Sequence, residues 1–201
     1  MFPNRETAKR ELELAGKLNP GPWIEHSENV GKAAAYIAGY LPAMDEEKAY
    51  VLGILHDIGR RVGIVNIPKH VYKGYCYMMD KGWGEAAKIC MTHSYPLRER
   101  DMECVNRSSE EDFIYNYIVH AQYDDYDRLI QLCDSLAADY GFCILEKRFV
   151  DVARRYGIEK NTLARWEKIF SIKERFEQMI GSSIYDLLPN IGRTTLHCPL
   201  P

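Results

Sequence analysis

Residues 49–59 read Ala49-Tyr50-Val51-Leu52-Gly53-Ile54-Leu55-His56-Asp57-Ile58-Gly59. A helical apolar run ends in a histidine beside an aspartate. That pair sets a borderline nitrogen ligand next to a hard oxygen ligand, and so suits a divalent transition metal. It falls on the side of a helix expected to be buried, where a polar group is costly unless bonded or coordinated. Upstream, Asp45 is a good N-cap with Glu46 and Glu47 in the first turn, and downstream Gly59 is placed as a C-terminal glycine. The helix is therefore expected over 45–59. A His-Asp pair is common by chance, so its meaning rests on what the rest of the chain supplies.

Outward from it, helical periodicity dominates and no convincing alternating strand is present. Helices are expected over Arg5 to Leu18, stopped by Asn19-Pro20-Gly21-Pro22, and from Trp23 to Leu41 ahead of Pro42. After a connection at 60–67, Pro68 opens a helix to Asp80, and another runs from Trp83 to Thr92 or His93. The polar stretch 94–107 reads as a loop. Ser108 and Ser109, with Glu111 and Asp112 three residues on, make capping boxes for a helix to Ala121. Further helices are expected over Asp124–Tyr140, Leu145–Tyr156 and Thr162–Ile180, followed by a short turn and a loosely held tail. The pattern is that of an all-α single domain and a compact helical bundle.

The 201 residues suffice for one sizeable core, and 46% hydrophobic and 27% charged residues are ordinary for a soluble protein. A net charge of −3 gives no case for polymeric nucleic acid or an anionic membrane. No stretch has the length of a membrane span, and the N-terminus lacks the apolar core of a signal peptide. The six cysteines show no close pairing, which argues against a zinc ribbon and for reduced thiols in a cytoplasmic protein.

Four candidate ligands fall on apolar faces of three helices. His26 shares a face with Val30, Ala33 and Ile37; His56 lies on the stripe of Ala49, Leu52 and Gly53; Asp134 follows Ile130 by four residues. Asp57 stands about 100° round the helix from His56. Alone, His26 is most simply a core histidine bonded to a carbonyl, and Asp134 a surface acid. Together, three helices bringing His, His-Asp and Asp to one interior point make a metal site the economical explanation.

His26, His56-Asp57 and Asp134, in that order, resemble the H…HD…D signature of the HD-domain superfamily of metal-dependent phosphohydrolases. His56-Asp57-Ile58-Gly59-Arg60 resembles its HDIG subgroup. The resemblance covers about residues 22–140, leaving 141–201 as a C-terminal helical extension, and implies an α-helical bundle with metal among its central helices. Two-metal members carry H…HD…H…H…D, and His70 and His93 match the middle histidines in order and approximate spacing. That implies one ion held by His26, His56, Asp57 and Asp134, and a second by Asp57, His70 and His93. Iron, manganese or zinc would serve, with iron or manganese favoured. His70 could instead be a surface histidine at a helix start. His93 could bind substrate or donate a proton without a second metal.

The implied reaction is hydrolysis of a phosphoester or phosphoanhydride in a small phosphorylated substrate, a nucleotide first, with Asp57 orienting or deprotonating the water. Arg60 and Lys73 are candidate phosphate contacts, and His120 a candidate for the cleft. The polar loop 94–107 is expected to set substrate choice. Two other readings stay open: a di-iron oxygenase built on the same ligands, and a nucleotide-binding regulatory module without catalysis. Oligomeric state is left open, with an oligomer possible.

Overall fold

In the computed structural model, residues 1–64, 66–98, 101 and 107–196 are described. The run Ala49 to Leu55 is buried along its whole length. A helix apolar all round belongs in the middle of a bundle, and that is where α3 (Glu46–Leu55) lies. Its start is fixed by Asp45, whose carboxylate accepts from the backbone N–H groups of Glu47 and Lys48 at 2.8 and 3.1 Å. α2 (Trp23–Ala38) crosses it at glycine. A Cβ on Gly31 would lie 2.2 Å from Ile54 Cγ2, and one on Gly53 would lie 2.6 Å from the Cα of Gly31. Two backbones in contact bring the residues above the crossing, His26 and His56, into ring contact, with centroids 5.3 Å apart.

α1 (Arg5–Leu18) covers one flank of α3 through Ala8, Leu12 and Ala15. α4 (Ile67–Asp80) and α5 (Gly84–Thr92) form a hairpin on the far side. A small cluster of Val71, Met91, Tyr95, Ile114 and Ile118 joins this hairpin to α6 (Ser109–His120), which starts at the expected capping box of Ser108 and Glu111. α7 (Asp125–Leu136) lies against α2 and α3. Beyond it come α8 (Leu145–Tyr156), α9 (Thr162–Ile180), α10 (Ile184–Leu187) and α11 (Ile191–Leu196). Among the described residues, no helix is long and apolar enough to cross a membrane.

The all-α expectation holds, with three boundaries corrected. The His-Asp helix ends at Leu55 rather than Gly59: the His56 N–H reaches back only three residues to the Gly53 carbonyl, and a 3-10 turn covers Ile58–Val62. Asp57 therefore sits on a bend, not on a continuing helix face. α2 stops at Ala38, three residues before the expected Leu41. The helix expected over 124–140 stops at Leu136. There the chain turns extended, and β1 (Ala137–Ala138) pairs antiparallel with β2 (Gly141–Phe142). Alanine favours helix, so periodicity could not see this pairing; Gly141, at φ +132°, permits the tight return. Cys76, Cys90, Cys133 and Cys143 are free thiols, while Cys104 and Cys198 lie outside the described residues, as does His197.

Candidate metal centre

Six side chains from five helices meet beside the α2–α3 crossing. His26 comes from α2, His56 and Asp57 from the end of α3, His70 from the first turn of α4, His93 from the end of α5, and Asp134 from α7. His26 Nε2 lies 2.9 Å from Asp134 Oδ1, and His56 Nε2 lies 3.8 Å from that oxygen and 3.9 Å from Asp57 Oδ2. On the other side of Asp57, Oδ1 stands 3.1 Å from His70 Nε2 and 3.5 Å from His93 Nε2, and these two nitrogens are 3.2 Å apart. Asp57 is thus central, with one oxygen towards each half of the cluster.

The local backbone decides what these rings offer. Nδ1 of His56 lies 2.7 Å from the Gly53 carbonyl, Nδ1 of His70 lies 3.2 Å from that of Asn66, and Nδ1 of His93 lies 3.1 Å from that of Ile89. A carbonyl can only accept, so each Nδ1 carries the proton and each Nε2 presents a lone pair inward. His56 Nε2 and Asp57 Oδ1 are buried with no hydrogen-bond partner among the described residues. Burial pushes His56 down to about 4, keeping it neutral, and burial also lowers His70. Burial works against ionisation of Asp57, but the imidazoles of His56, His70 and His93 outweigh it and hold the carboxyl well below the usual range. Asp134 is held low in the same way, against burial, by His26, His56 and His93. Burial opposes the His93 proton too, yet Asp57 raises it.

Imidazole lone pairs and two ionised carboxylates aimed at one another repel unless a cation joins them. The donor set of nitrogen and hard oxygen fits a divalent transition ion. Two groups have ligand atoms all within 4.8 Å of one another: His26, His56 and Asp134, and His56, Asp57 and His93. A model of the HD domain matches residues 23–139, more than half of the chain. The chain belongs to the HD domain family. No curated protein and no solved structure matches it. HD domains are metal-dependent phosphohydrolases that bind divalent metals, so hydrolysis is the general activity this membership supports.

Within this HD domain the remaining candidates divide. Arg60 stands at the cluster: its Nε donates to Asp57 Oδ2, its carbonyl accepts from Asn19 Nδ2 at 2.6 Å, and Asp57 keeps its guanidinium charged against burial. Lys73 is engaged elsewhere, with Nζ 3.3 Å from Glu110. His120 is exposed at the end of α6, its Nδ1 2.7 Å from the Asn116 carbonyl. Neither joins the cluster: Lys73 lies three residues past His70 on the side of α4 facing α6, and His120 follows an α6 face turned to solvent. Glu99, Arg100 and residues 102–106 of the polar loop lie outside the described residues.

One element of the site escaped the sequence reading. Asp127, a helix-start acid by position, is fully buried: it accepts from Thr92 Oγ1 at 2.7 Å and pairs with Lys88 Nζ at 2.7 Å. Gln131 Nε2 donates to the Thr92 carbonyl at 2.8 Å. These bonds pin the end of α5, and with it His93, onto α7. The available signal was spacing, since Asp127, Gln131 and Asp134 stand at i, i+4 and i+7 on one helix face.

Proposed function

We propose that this HD domain hydrolyses a phosphoester or phosphoanhydride of a small phosphorylated molecule, with a nucleotide the first class to test. The observation that carries the reading is the buried set of inward lone pairs, His56 Nε2 and Asp57 Oδ1 foremost, beside a cavity lined by His93 and Asp134. His26, His56, Asp57 and Asp134 would hold one ion, and Asp57, His70 and His93 a second. When bound, such an ion supplies Lewis acidity, acidifying water and polarising a phosphoryl oxygen. Asp57, held ionised, would orient the attacking water at the ions it helps to hold. Arg60 fixes the rotamer of Asp57 by occupying its other oxygen and, being one-third exposed, offers further donors to a phosphate. His93 also lines the cavity, and with a single ion bound its Nε2 would be free to contact substrate instead.

The test is phosphate or nucleoside monophosphate release from a panel of nucleotides and phosphoesters. Chelator-treated protein is resupplied with manganese, ferrous iron or zinc, and metal content is measured alongside. His56→Ala and Asp57→Ala should each lower both metal content and activity, by about 100-fold or more in rate, beyond the usual loss for outer groups. If neither falls, the centre is wrong. Oxygen consumption by the ferrous protein without phosphate release would overturn the hydrolase reading in favour of oxygenase chemistry.

A further inference from the structure

A cavity of ≈310 Å³ lies beside the metal centre. This is the size class of small-molecule sites. Its lining includes His93, Gln131 and Asp134 of the HD domain, and a wall of Arg148, Phe149 and Trp166. That wall comes from α8 and α9, which lie beyond the residues matched to the HD domain. Phe149 and Trp166 are stacked, with ring centroids 5.2 Å apart and planes 2° from parallel, so this part of the wall is apolar and aromatic.

The charge pattern of the wall is uneven. Arg165 is already neutralised, its Nε 2.6 Å from Asp101 and its Nη1 3.2 Å from Glu159. Arg148, next to Phe149 in the chain, is half-buried, and its guanidinium has no carboxylate partner among the described residues. Arg148 thus brings to the cavity lining a positive charge that no carboxylate among the described residues offsets.

We propose that Arg148 receives a second anionic group of the substrate. The preferred ligand then carries a phosphoryl group at the metal centre, an apolar body against Phe149 and Trp166, and a further acidic group at Arg148. The proposal rests on the hydrolase reading for what happens at the first phosphoryl group. It adds that selectivity is built by the C-terminal helices.

The test uses the full chain with metal bound and two matched pairs of probes. These are phenyl phosphate against para-carboxyphenyl phosphate, and their biphenyl homologues. Each pair differs by one carboxylate. The ratio of kcat/KM within a pair is measured for the wild type, Arg148→Met and Arg148→Lys. Binding of the corresponding non-hydrolysable benzylic phosphonates is followed by calorimetry, which needs no turnover. The wild type should favour the carboxylated member of at least one pair by about tenfold to a hundredfold, the range for one charge-assisted hydrogen bond. Arg148→Met should bring that ratio near one, and Arg148→Lys should restore part of it. A wild type without preference, or a preference that survives in Arg148→Met, overturns the proposal even if phosphate is released. Absence of phosphate release with an Arg148-dependent binding preference would sink the hydrolase reading and leave this assignment standing.

Discussion

Replacing Gly59 by alanine should damage both the stability of the bundle and its metal centre. Gly59 lies against α4, and a Cβ there would sit 1.9 Å from the His70 carbonyl oxygen, 2.6 Å from the Gly74 nitrogen and 2.8 Å from the His70 carbonyl carbon. Ordinary contact begins at 3.4 Å, so α4 must retreat by about 1.5 Å at the His70 carbonyl. All three obstructing atoms are backbone, and no side-chain rotation can relieve them. Overpacking of a well-filled core costs about 1–3 kcal/mol, and a backbone clash belongs at the upper end. For a chain of this size each kcal/mol moves Tm by about 2–4 °C, so a loss of about 6–12 °C is expected. His70 rides on the displaced turn, and its Nε2 stands 3.1 Å from Asp57 Oδ1. The same shift should therefore lower retained metal. The assay is thermal unfolding by circular dichroism, with metal content measured after dialysis. Gly84→Ala is the control, because nothing lies within 4 Å of a Cβ there and its φ is not positive. It should hold or raise stability by about 0.4–1 kcal/mol. Gly59→Ala with wild-type Tm and wild-type metal content would refute the close-approach reasoning.

Two further perturbations probe the supports of the site and the shell around it. Asp127→Asn keeps the shape but removes the charge that Lys88 and Thr92 bind; a loss of about 1.5–3 kcal/mol is expected from chemical denaturation. An unchanged midpoint would mean that the remaining Lys88–Asp124 pair at 2.9 Å carries the network alone. Burial opposes ionisation of Glu11, yet hydrogen bonds from Lys81 and Tyr77 hold it below its ordinary 4.5. Its stabilisation is complete above that value and is lost as pH falls through the lower folded one. Glu11→Gln should thus lower Tm at neutral pH and flatten the fall of Tm below pH 4.5; parallel Tm–pH curves would contradict it.

Local signals carried the helices that packing then accepted. Asp45 and Ser108 act through bonds to neighbouring backbone, and Pro20 and Pro22 through the donors they lack, so their effect is written in adjacent residues. The ends that slipped were those decided at a distance. α3 stops early as the chain tightens towards the Gly59–α4 contact, and α7 stops where Ala137 finds Phe142. By position Gly59 suits a helix-ending glycine, but its φ is not positive. It is required by the approach of α4, a partner that no local pattern names.

The centre divides along the same line. From sequence came the ligand types and the inward faces of His26, His56, Asp134 and His93, because burial repeats with the helix turn. His70 was open to two readings until α4 packed on the 3-10 turn and set its Nε2 between Asp57 and His93. Lys73 and His120 carried suitable chemistry, but the packing of α4 and α6 put Lys73 on Glu110 and left His120 in solvent. Asp127 is a helix-start acid by position, and it is a buried anchor because α5 brings Lys88 and Thr92 to it. By itself the sequence determined which side chains could bind a metal and which way their helices face, since both depend on residue chemistry and a fixed helical period. Only the tertiary structure decided which of them meet, and that α8 and α9 form the cavity wall, since distances of 3–4 Å between remote segments depend on how the helices cross.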